Sequence, residues 1–93
     1  MKIVYYFTAD WCGPCKKVRP IVEEIIRDQS EISFQIIDVD SEIELAKTFT
    51  IQSIPTFILL EDGKEISRTT GAQTKKQLES FMYYANATID EDF

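Results

Sequence analysis

The chain contains no histidine, and among its 93 residues it has two cysteines, three glycines, three prolines and one tryptophan. Each shortage excludes something. A structural zinc site needs four ligands, usually Cys and His, and two cysteines cannot complete one. Only carboxylates or a second chain's thiolates could finish it, so no metal is expected. Two cysteines also cannot build the disulfide framework that holds small secreted domains together. So few glycines and prolines leave no linker or low-complexity stretch. Ten basic residues against sixteen acidic ones give a net charge of −6. That sign is wrong for neutralising phosphates, so nucleic acid is not an expected partner. No stretch approaches the ~20 uninterrupted apolar residues of a membrane span. The start, MKIVYYFTADW, lacks a long apolar region and a small-residue cleavage site. A cytoplasmic protein is therefore expected, where structural disulfides are rare.

What is present points to one small folded unit. Hydrophobic residues make up 44% of the chain, enough for a core, and a domain this size buries roughly 60–65% of its unfolded surface. Lys2–Thr8 is β-branched and aromatic without a breaker and reads as a strand, apolar on both faces as in a covered sheet. Val18, Ile21, Val22, Ile25 and Ile26 fall at helical spacing on one face. Pro20 sits inside that helix and is expected to kink it. Ser33–Asp40 reads as a second strand, and strand–helix–strand makes a right-handed crossover. Ser41 and Glu44 form a capping-box pattern ahead of a short helix to about Phe49. Thr56–Leu60 and Glu65–Thr70 read as a hairpin around "EDGK". Thr74 and Gln77 make a second capping box, before a helix striped by Leu78, Phe81, Met82 and Ala85. Tyr83 and Tyr84 flank that helix. Residues 86–93, with Asp90, Glu91 and Asp92, read as a frayed acidic tail.

The order β-α-β-α-β-β-α predicts an α/β fold in which residues 1–93 form a single domain. The expected arrangement is a four-stranded mixed sheet, order 2-1-3-4, flanked by three helices.

The two cysteines stand in "DWCGPCKK", as Cys12 and Cys15. As a staple they would close almost no loop, so they would add little stability. As a redox dithiol they are well placed. The pair lies between a strand and an amphipathic helix, so Cys12 should sit at the helix N-terminus. Unpaired N–H groups and the helix dipole favour an anion there. Such sites lower a thiol pKa from ~8.5 into a range of roughly 3.5–7.5. Lys16, Lys17 and Arg19 add positive potential. Cys15, one turn further in, is within disulfide reach and should be less exposed. Cys12 is then the attacking thiol and Cys15 the resolving one. Pro14 has the φ of a first helical turn.

WCGPCK at Trp11–Lys16, Pro20, "DVD" at Asp38–Asp40, "IPT" at Ile54–Thr56, "DGK" and Gly71 together resemble the thioredoxin family over roughly residues 2–85. The resemblance implies a thioredoxin-like fold and a protein-disulfide reductase that works without a bound cofactor. It implies disulfide-containing protein substrates and a thioredoxin-reductase-type electron donor. It matches Cys12 to the family's nucleophile and Cys15 to its resolving thiol. Trp11 matches the tryptophan beside the site, and Pro55 the cis-proline against the disulfide. Ile54 matches the residue whose backbone holds substrate in strand fashion. Gly13, Pro14, Thr70 and Gly71 fall on the implied substrate-binding surface. A monomer is expected.

Two departures stand out. The family usually has a strand and a helix before this point. It also usually has a buried aspartate six residues before the first cysteine, paired with a lysine; here those positions hold Tyr6 and Ile36. Tyr6, a phenol with pKa near ~10, is a poor base at pH 7. It reads as a core residue, which leaves water or Asp10 to take a proton from the resolving thiol. Three rival readings remain. One is a glutaredoxin-like protein coupled to glutathione or to a thioredoxin reductase. Another is a binding module with incidental redox activity. The third is an exported oxidase.

Overall fold

A computed structural model describes the backbone through Asp90 and the side chains through Tyr83. The side chains of Tyr84, Ala85, Asp90, Glu91 and Asp92 lie outside the described residues. Seven elements follow one another: β1 (Lys2–Thr8), α1 (Gly13–Asp28), β2 (Ser33–Asp38), α2 (Ile43–Thr48), β3 (Thr56–Glu61), β4 (Lys64–Thr70) and α3 (Lys75–Asp90). They form a four-stranded sheet in the expected order, β2-β1-β3-β4. β1 runs parallel to β2 and antiparallel to β3, and β4 is antiparallel to β3.

The two-faced apolar pattern of β1 explains its central place. Val4 and Tyr6 pack with Val18, Val22 and Ile25 of α1 and with Leu78 and Met82 of α3. Phe7 faces the other way, with Ile58 and Leu60, against Leu45 of α2 and Phe49 just past its end. β3 is buried from Thr56 through Leu60, as a strand covered on both faces must be. Of the predicted α1 stripe, Val18, Val22 and Ile25 are buried and Ile21 packs against them, but Ile26 is exposed. α1 continues as one helix past Pro20. In the hairpin turn Asp62 and Gly63 have φ of 53° and 86°. Positive φ at both central positions is what a tight two-residue hairpin needs, and it explains Asp-Gly there.

The second capping box forms as expected. Gln77 N–H donates to Thr74 Oγ1 at 3.1 Å, and Thr74 N–H donates to Gln77 Oε1 at 2.9 Å. The first does not. α2 starts one residue later, with Glu42 as its N-cap and no side-chain cap. Asp38 is the reason. Its carbonyl accepts from Ser41 N–H at 3.1 Å and Glu42 N–H at 2.8 Å, and its carboxylate accepts from Asp40 N–H at 2.8 Å. This turn also ends β2 at Asp38, two residues before the expected Asp40.

The outer side of β2 has no strand partner among the described residues. Val39 N–H bonds inward to Thr8 O at 2.9 Å, so by alternation the amides of Phe34 and Ile36 point outward.

Candidate active site

β1 delivers the chain to the site. Beyond Thr8, the Ala9 carbonyl accepts from Cys12 N–H at 3.2 Å. That turn sets Cys12 as the N-cap of α1, with extended backbone at φ −85° and ψ 113°. The Cys12 side chain then does what an N-cap side chain does: its Sγ accepts from Cys15 N–H at 3.2 Å. Cys12 and Cys15 are joined in a disulfide, with Cα atoms 5.3 Å apart. When the bond is open, the same N–H and the helix dipole stabilise negative charge on the Cys12 sulfur.

Both sulfur residues are nearly buried, Cys12 at 4% and Cys15 at 2% exposure. The expected difference in exposure is therefore slight, and what differs is the space each one faces. Cys12 lies in the wall of an open, mainly apolar groove of about 430 Å³, with Trp11, Gly13, Pro14, Val39, Ile51 and Ile54. Cys15 instead lines a small cavity on the other side.

The loop before β3 closes the site from above. The Ile54–Pro55 bond is cis, as the resemblance implied. The Ile54 carbonyl oxygen is 3.8 Å from Cys12 Sγ. The Pro55 carbonyl accepts from Gly71 N–H at 2.8 Å, across the β3–β4 pair. Gly71 has φ of 89°, a conformation that costs glycine little. Gly13, Pro14, Ile54, Pro55 and Gly71 together line a second depression beside the first. Thr70 lies at the end of β4, paired with Thr56, and its carbonyl accepts from Gln73 Nε2 at 3.2 Å. It neighbours this surface but lines neither depression.

Trp11 is 68% exposed, and its indole N–H donates to Asp40 Oδ2 at 2.8 Å. The ring is thus held as one wall of the groove. Sequence reasoning missed this anchor, along with Val39, Ala46, Ile51, Gln52 and Ser53 in the groove lining. Val39, the apolar residue inside "DVD", was the one local signal.

Behind the disulfide, Tyr6 is fully buried and stacked on Phe57, with ring centroids 4.9 Å apart. Its hydroxyl donates to the Cys15 carbonyl at 3.2 Å. Burial raises its pKa above the ordinary phenol value. Tyr6 and Ile36 stand opposite one another in the β1–β2 register. The replaced aspartate and lysine positions are therefore one change at one place. No group of three or more His, Cys, Asp or Glu side chains able to hold a metal occurs among the described residues.

The thioredoxin family model matches residues 1–84. The chain belongs to the thioredoxin family. It is 40% identical over 81 residues to a thioredoxin of Mycoplasmoides gallisepticum, covering 87% of this chain and 81% of that one. It is 44% identical over 73 residues to a thioredoxin of Mycobacterium tuberculosis, covering 77% and 63%. Among solved structures, Fasciola hepatica thioredoxin superposes with a TM-score of 0.80 at 39% identity, covering 85% of this chain and 76% of that one. Thioredoxin membership, together with a joined Cys12–Cys15 pair at a helix N-terminus, makes this protein a thiol–disulfide oxidoreductase. It also favours the thioredoxin reading over the glutaredoxin-like and binding-module readings.

Proposed function

We propose that the protein runs as a reductase of protein disulfides, with Cys12 attacking and Cys15 resolving. The placement of Cys12 carries this reading: its sulfur caps α1 by accepting Cys15 N–H, and it alone of the pair faces the open groove. The Cys12 thiolate attacks a substrate disulfide and displaces one substrate thiolate. Cys15 loses its proton and attacks the mixed disulfide. The second substrate thiolate leaves and Cys12–Cys15 is oxidised. A thioredoxin-reductase-type partner returns two electrons.

Substrate recognition falls to an extended segment laid along Ile54 and Pro55, flanked by Trp11, Gly13, Pro14 and Gly71, with Thr70 at the margin. The mainly apolar groove wall supports this, since displacing water from it favours binding. The chain works as a single domain and as a monomer, which its net charge of −6 supports through mutual repulsion. A cytoplasmic setting is supported by cysteine usage, because both cysteines belong to the redox pair and neither is spent on a staple.

The test is the equilibrium reduction potential of Cys12–Cys15 in defined thiol buffers, read by Trp11 fluorescence. A value below roughly −230 mV supports a reductase, and a value near roughly −180 mV or higher overturns it.

A further inference from the structure

Cys15 must shed a proton before it can attack, yet it is 2% exposed. On its inner side the titratable neighbour is Tyr6. That hydroxyl is committed as a donor to the Cys15 carbonyl. Burial holds its pKa above the ordinary value, so at pH 7 the phenol keeps its own proton and accepts none. The groove side belongs to Cys12. Among the described residues Cys15 meets a cavity of about 100 Å³ that Thr8, Ala9, Asp10, Lys16 and Arg19 also line. A water occupies ~30 Å³ in the liquid, so the cavity has room for about three.

We infer that this cavity is the proton exit of the resolving thiol, with Asp10 as the carboxylate that takes the proton through water and passes it to solvent. The inference rests on the dithiol exchange proposed above. Asp10 is exposed and lies in the turn that carries Cys12, so its outer face is open to bulk. The groups facing this space are cationic on the helix side. Lys16 and Arg19 of α1 favour the thiolate as the proton departs, and Arg19 is partly neutralised by Glu23 at 3.3 Å. β1 contributes Thr8, a hydroxyl able to hold a water in line, with Tyr6 behind it. The step balances: the Cys15 S–H proton goes to the Asp10 carboxylate by way of water, the thiolate electron pair forms the S–S bond to Cys12, and the substrate thiolate leaves.

The test uses 5,5′-dithiobis(2-nitrobenzoate) and the reduced protein. The first thionitrobenzoate released reports Cys12 attack and the second reports resolution by Cys15. The small-molecule disulfide requires only the dithiol, so the assay reads even if the protein fails to reduce protein disulfides. Asp10→Asn is expected to slow the second release about a hundredfold at pH 7, at the low end for a lost acid–base group. The gap should narrow as pH rises and the Cys15 thiol ionises unaided. Asp10→Glu should keep the parent profile, and so should Tyr6→Phe. Equal rates at every pH, or equal slowing of Asp10→Asn at every pH, would overturn the assignment. So would a loss of the neutral-pH rate in Tyr6→Phe instead.

Discussion

The backbone N–H of Cys15 points at the Sγ of Cys12 across 3.2 Å. The resolving residue thus stabilises the attacking sulfur through its main chain, not its side chain. Replacing the Cys15 side chain should leave that support in place.

Cys15→Ser is therefore expected to keep an acidic Cys12 and to stall after the first step. Intact mass spectrometry should find a mixed disulfide with a substrate protein accumulating on Cys12. Cys12→Ser should give no adduct. In Cys15→Ser the rate of alkylation by iodoacetamide should level off well below pH ~8.5, within the ~3.5–7.5 range of helix-terminal thiols. A midpoint at ~8.5 or above would mean the N-terminus of α1 does not stabilise the thiolate.

Tyr6→Phe removes a buried hydrogen bond and is expected to cost about 1 kcal/mol in urea unfolding at pH 7. Its pH dependence has a definite sign. The folded-state pKa is raised by burial, so the native protein holds the neutral phenol. The stability this gives is full below the unfolded value near ~10 and is lost as pH rises through the folded value. Comparing melts at pH 9 and pH 11 should show the parent losing more stability than Tyr6→Phe over that interval. Parallel losses would place the phenol in water.

Trp11 is held by Asp40, 29 positions along the chain. Asp40→Ala should free the indole. The expected signs are a fall in Trp11 fluorescence anisotropy and a KM for protein disulfides raised about two- to fivefold, as for an exposed hydrogen bond worth ~0.5–1 kcal/mol. An unchanged KM would show that the wall tolerates a mobile ring.

Lys75 bonds Glu24 at 2.9 Å and Asp28 at 3.0 Å, tying the start of α3 to the end of α1. These two carboxylates raise its pKa, Glu24 more than Asp28. The clamp therefore works fully below the unfolded lysine value near ~10.4 and fails as pH rises beyond it. Lys75→Met should lower Tm modestly at low salt. The gap should close near ~1 M salt, where exposed charges are screened within about 3 Å.

Much of the frame was legible because it is written in local patterns. Val18, Val22 and Ile25 announce α1 by spacing, Asp62-Gly63 announces its turn, and Thr74 with Gln77 announces a cap. Cys12 at the start of α1 followed from a strand running into that helix. What stayed hidden depends on partners distant in sequence or on competition between neighbours. Asp38 outcompeted Ser41 for the turn before α2, and both fit the same local grammar. Ala46 and Ile51 reach the groove only because α2 and the loop after it fold back over Cys12. The cis peptide before Pro55 was readable through family resemblance and not from the residues alone. The Asp40–Trp11 bond joins two ends that no short window contains.

Among the described residues the outward row of β2 at Phe34 and Ile36 has no strand partner, and the Ile36 side chain is 40% exposed. No lysine or arginine guards that row, the usual device against edge-to-edge pairing. At a net charge of −6 copies repel one another at long range, and that repulsion vanishes at the sequence pI of about 4.5. Colloidal behaviour should follow pH more than temperature: clear, concentrated solutions well above pI, and haze near it while the fold is still intact.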